Sequence, residues 1–173
     1  MVALVLLGSA PKSGPTTPTA LPPVSVAAPP ANAAADAPCT TLLGALPTAI
    51  PTSAGTLAGR PAQSTWTYVA AWGNPAIVLR CGVPRPSGLT VNSSAFVIAI
   101  DNVNFFSSRA GGNTVFTAVD RAAYIEVSVP TSYTQPPIGP IAEAIAKALP
   151  QVCTAPQVGQ PAPDPATLCT HRK

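Results

Sequence analysis

Trp66-Thr67-Tyr68-Val69-Ala70-Ala71-Trp72-Gly73-Asn74-Pro75-Ala76-Ile77-Val78-Leu79-Arg80-Cys81 reads as two strands about a turn. Residues 66–72 carry the aromatic and branched side chains that strands favour, and Gly73-Asn74-Pro75 is turn chemistry. Residues 76–81 alternate, so Ile77, Leu79 and Cys81 share one face. That face is the core side of an antiparallel hairpin.

Downstream the same signals repeat. Residues 96–100, Phe-Val-Ile-Ala-Ile, form an unbroken apolar run that predicts a strand buried on both faces or at the centre of the sheet. Gly111-Gly112-Asn113 is a hairpin turn joining residues 104–106 to residues 114–119. Residues 122–129 make the clearest strand, with Ile125, Val127 and Val129 facing one way and Tyr124, Glu126 and Ser128 the other. Two helices bracket these strands. Residues 40–46 follow a Thr N-cap and stop at Pro47. Residues 140–149 place Ile141, Ile145 and Leu149 on one face, extended by Ile138, with Glu143 and Lys147 as an outward i,i+4 pair. Residues 51–63 and 84–94 read as loops rich in Gly, Ser and Pro. The expectation is a single small α+β domain over residues 38–153, with an antiparallel sheet of about five strands and both helices on one face.

Outside that domain the chain changes character. Residues 1–10 end in Leu7-Gly8-Ser9-Ala10, an apolar run before small residues, and read as part of a signal segment whose true start lies upstream. Residues 11–37 are rich in Pro and Ala and read as a stalk, on the order of 80 Å long if fully extended. Residues 154–173 return to a Pro-rich tail tied by a disulfide. Only 9% of the chain is charged while 47% is hydrophobic, with 23 prolines among 173 residues. The net charge of +3 is scattered over single basic residues, which is no footprint for a phosphate backbone and excludes a nucleic-acid partner. Membrane contact is expected only through the N-terminal segment.

Cys39, Cys81, Cys153 and Cys169 are an even set in a chain that reads as exported. Cys39 opens the first helix, which packs on the face that carries Cys81, so Cys39 pairs with Cys81 and, by exclusion, Cys153 with Cys169. Four cysteines allow three connectivities, and spacing does not choose among them. Loops of about 42 and about 16 residues would stabilise by roughly 4 and roughly 3 kcal/mol. With no C-x-x-C pair and a single histidine, His171, no metal site is expected. Phosphate loops and dinucleotide fingerprints are absent from the sequence, and no cofactor is expected.

The block Ala71-Trp72-Gly73-Asn74-Pro75-Ala76-Ile77-Val78-Leu79-Arg80-Cys81-Gly82-Val83-Pro84 resembles an actinobacterial secreted-protein family of unknown function, DUF3515. Supporting matches are Cys39 with Leu42-Leu43 and Ala45-Leu46-Pro47, then Phe116-Thr117 with Val119-Asp120-Arg121, and Tyr124-Ile125-Glu126-Val127-Ser128-Val129-Pro130. Phe105-Phe106 stands where a Trp-Phe pair is expected. The resemblance spans about residues 39–150 and implies an exported or membrane-tethered domain of the actinobacterial envelope. It implies no activity.

No catalytic residue is assigned. Asp120 and Glu126 are the one carboxylate pair that alternation could bring to a common face, as a small wall-polysaccharide hydrolase would need. The plainer reading gives each an arginine partner, Arg121 or Arg80. Trp66, Tyr68 and Trp72 fall at i, i+2 and i+6, one side of one strand, and form either a sugar-stacking platform or half the core. The leading expectation is a non-catalytic envelope protein that binds a cell-wall component or an envelope protein. The alternatives are the hydrolase and a carrier of apolar envelope lipid.

Overall fold

The computed structural model describes residues 21–89 and 97–152. Ten strands appear in chain order: β1 (Val24–Ser25), β2 (Ala49–Thr52), β3 (Gly55–Arg60), β4 (Ala62–Gln63), β5 (Val69–Trp72), β6 (Ile77–Val83), β7 (Val97–Ile100), β8 (Val103–Ala110), β9 (Asn113–Ala118) and β10 (Tyr124–Pro130). Two helices, α1 (Asp36–Ala45) and α2 (Gly139–Ala148), flank them, and residues 33–35 form a short 3-10 turn ahead of α1. Eight strands make one antiparallel sheet in the order β2-β3-β5-β6-β10-β9-β8-β7. The remaining two, β1 and β4, pair in parallel as a small separate ribbon.

Alternation sets which face is core. On the inner face Leu79, Val127 and Phe116 align across β6, β10 and β9. One step along, Cys81, Ile125, Ala118 and Phe105 align across β6, β10, β9 and β8. All seven belong to the main buried cluster, which the helices cover with Leu42, Ile141 and Ile145. Phe105 and Phe116 meet edge to face with ring centroids 6.4 Å apart. α1 packs beside α2 and on β6, whereas α2 reaches both β2 and β8. Those strands are six places apart, about 29 Å in a flat sheet, and a ten-residue helix is about 15 Å long. The sheet therefore curls around the helix pair.

The α+β class, the two helices and the antiparallel pairing agree with expectation. The strand count does not: there are eight in the sheet where about five were expected. Residues 51–63, read as loop, contribute to β2, β3 and β4. Their glycines and prolines hide the alternation, and mostly exposed side chains leave backbone pairing to define the strands. The apolar run around Ile98 is also differently placed. β7 is an edge strand, not a central one, and Ile98 is 40% exposed. α1 begins at Asp36, so Thr40 lies inside the helix and does not cap it; Thr41 Oγ1 donates back to the Ala37 carbonyl at 3.1 Å. Pro38 is tolerated because the first turn has no intrahelical use for its missing N–H.

Part of the segment read as a stalk lies along the domain. Val24 N–H donates to the Pro61 carbonyl and Val26 N–H to the Gln63 carbonyl, both at 2.8 Å. Arg60 Nη2 donates to the Pro22 carbonyl at 2.6 Å and Arg80 Nη1 to the Ala27 carbonyl at 3.2 Å. The apolar N-terminus, the C-terminal tail, His171 and the Cys153–Cys169 pairing lie outside the described residues.

Candidate functional site

β3 meets β5 through only two register pairs, Gly59 with Trp72 and Arg60 with Ala71. Close docking at Gly59 requires the absence of a side chain, since a Cβ there would stand 2.8 Å from the Thr48 carbonyl oxygen. Pro61 then carries the chain away into β4, and the first half of β5 is left flanking a gap. The gap is an open groove of about 600 Å3. Leu43, Leu46, Pro47 and Thr48, from the end of α1 and the turn after it, line it together with Arg60, Ala62, Ser64, Trp66 and Thr67.

Arg60 is the one charged residue among the described residues that line the groove. Its Nη1 donates to the Gly73 carbonyl at 2.9 Å and its Nη2 to the Pro22 carbonyl, while its Nε is buried without a partner. Neutral carbonyls orient a guanidinium and leave its charge in place. The ion pairs among the described residues show the contrast: Arg80 with Glu126 at 2.6 Å, Arg121 with Asp120 at 2.9 Å, and Lys147 with Glu143 at 2.7 Å on the surface of α2. The Lys147 ammonium holds the Glu143 carboxyl below the usual carboxylate range through its hydrogen bond and its charge.

The three aromatics do not form one row. Residues 66–68 precede β5 as bends, so strand alternation does not govern them. Trp72 is 2% exposed, a core side chain whose indole N–H donates to the Pro47 carbonyl at 2.8 Å. Trp66 is half-buried, lies over Gly82, and donates from Nε1 to the Cys81 carbonyl at 2.7 Å. Tyr68 packs edge to face on Trp66, centroids 5.3 Å apart, and against the main core. Trp66 and Trp72 line the groove, and Tyr68 is not among its walls. Sequence reasoning missed Arg60. An arginine at the end of a strand that does not alternate carries no signal before the gap beside it is known.

The two acids sit apart from the groove walls. Glu126 lies on the outer face and accepts from Arg80 Nε and Nη2 at 3.0 and 2.6 Å, both on Oε1. Asp120 is 1% exposed and accepts from Gln151 Nε2 at 3.1 Å through Oδ2. Arg121 is held beside it by the carbonyls of Asp120 and Asn102. Among the described residues no group of three or more His, Cys, Asp or Glu is placed to hold a metal ion.

Cys39 and Cys81 form a disulfide, Cα atoms 5.6 Å apart, that clasps the first turn of α1 to β6. A buried bridge of this kind belongs to an oxidising, extracytoplasmic compartment. No described helix is long and apolar enough to cross a membrane. No curated protein and no solved structure matches the chain. A family model described as a protein of unknown function does match it, over residues 1–154. With nearly the whole chain covered, and the clasped hairpin at its centre, the protein belongs to the DUF3515 family.

Proposed function

We propose that the domain is a non-catalytic binding module of the cell envelope, and that the groove beside β5 holds a cell-wall polysaccharide. The observation that carries this reading is the make-up of the groove, where two indoles, three hydroxyl side chains and a guanidinium with no acidic partner among the described residues surround a volume of about 600 Å3. Sugar-binding clefts combine an aromatic surface with a few placed polar groups in this way. The acids argue in the same direction. Each of Asp120 and Glu126 is engaged by an arginine, and neither borders the groove.

Co-sedimentation with insoluble wall material tests the reading. Thr67 is exposed and lines the groove, so Thr67→Trp fills the opening without removing a core contact. The bound fraction should fall several-fold in that variant, and Glu126→Gln should bind as the wild type does. Binding indifferent to the Thr67→Trp plug would overturn the assignment. So would release of reducing sugar that disappears in Glu126→Gln, which would make the domain a hydrolase, or a stoichiometric lipid found in the purified protein by mass spectrometry.

A further inference from the structure

The geometry points to an acidic sugar as the unit this groove recognises: a pyranose bearing a carboxylate or phosphate, its anion beside Arg60 and its ring against Trp66. The inference rests on the groove being the binding site proposed above, and it concerns which chemistry binds there.

Charge comes first. Among the described residues the groove is lined by one cation and no carboxylate. Arg60 is half-buried, so solvent screens its charge less than it screens a surface arginine. Its Nη1 and Nη2 donate to two neutral carbonyls and each keeps a second hydrogen to donate, whereas Nε is buried out of reach. An anion reaching this guanidinium would gain a charge-assisted hydrogen bond, the stronger kind.

Shape and polarity come second. Trp66 is pinned by its Nε1 bond and by its T-shaped contact with Tyr68, so it offers a fixed aromatic side chain at the groove. Thr48, Ser64 and Thr67 supply hydroxyls around the groove, suited to the ring hydroxyls of a sugar. An acidic peptide fits less well. A peptide added as a strand needs a run of free backbone, and two of the four residues of β5 are already paired with β3.

The two tryptophans of the chain, Trp66 and Trp72, both border the groove, so intrinsic fluorescence of the intact protein reports occupancy. Tetragalacturonate should bind at least about tenfold more tightly than neutral maltotetraose, a gap worth about 1.4 kcal/mol. Added salt should weaken the acidic ligand alone. Arg60→Gln should remove the preference, while Arg60→Lys, which keeps the charge, should retain part of it. If Arg60→Gln does not fold, the wild-type preference and its salt dependence decide the question. A difference between galacturonate and glucose 6-phosphate would name the acid group and support the proposal in either direction. Equal affinity for the acidic and neutral tetramers would overturn the acidic unit and leave the wall-binding reading standing. Tetraglutamate binding as tightly as tetragalacturonate would transfer the site to acidic peptides. Wall binding insensitive to Thr67→Trp would remove both proposals together.

Discussion

Gly82 has no room for a side chain. Its φ is +83°, and a Cβ built there would lie 2.9 Å from Ala35 Cβ and 3.2 Å from the Trp66 ring. The register explains the conformation: Val83 pairs with Tyr124 and Cys81 with Ile125, so Gly82 is the extra residue of a bulge in β6. Gly82→Ala should cost about 2–4 kcal/mol in a denaturant titration, from left-handed strain together with overpacking. A second residue, Tyr133, ties the segment after β10 to the β5–β6 turn by donating to the Pro75 carbonyl at 2.8 Å. Burial raises its phenol above the usual range. Because the folded value lies above the unfolded one, this contribution is complete below the ordinary phenol range of about 10 and is lost as pH rises through the raised value. Melting temperature should therefore fall more steeply above pH ~10 in the wild type than in Tyr133→Phe. Parallel slopes for the two proteins would count against it.

Among the elements, α1 and β6 are joined covalently by the clasp. It closes a loop of 42 residues. The double variant Cys39→Ala, Cys81→Ala should lose about 4 kcal/mol of unfolding free energy on the chain-entropy account. The two ends of the sheet differ as well. Pro51 sits in β2, where the missing N–H discourages a further strand, while β7 carries Ile98 at its exposed edge. Ile98→Lys should stay within about 0.5 kcal/mol of wild type, as exposed sites do. Phe105→Ala, opposite it in the ladder and fully buried, should cost about 3–5 kcal/mol. The same pair shows what the sequence made legible. Strict alternation in residues 124–130 and fourfold spacing in α2 announced a strand, a helix and their buried faces. An apolar run has no alternation to read, so the Ile98 strand looked central when it is marginal. Gly55, Gly59 and Pro51 looked like loop because backbone pairing, not side-chain alternation, makes those residues strands.

For the molecule as a whole, the site was half legible. Trp66 and Trp72 stood out as aromatics, yet alternation assigned them to one strand face, and the bends at 66–68 broke that assumption. The groove itself has no sequence signature. It exists because β3 departs from β5 after two pairs, a matter of three-dimensional course that Gly59 and Pro61 permit without announcing. The Cys39–Cys81 pairing was legible because it needed only one strand face and one helix start. That bridge has a mechanical corollary. Every groove residue, from Leu43 to Trp72, belongs to the covalent ring between the two sulfurs. Tension applied along the polypeptide crosses from Cys39 to Cys81 directly, so the ring can be shielded from a pull that straightens the chain on either side of it.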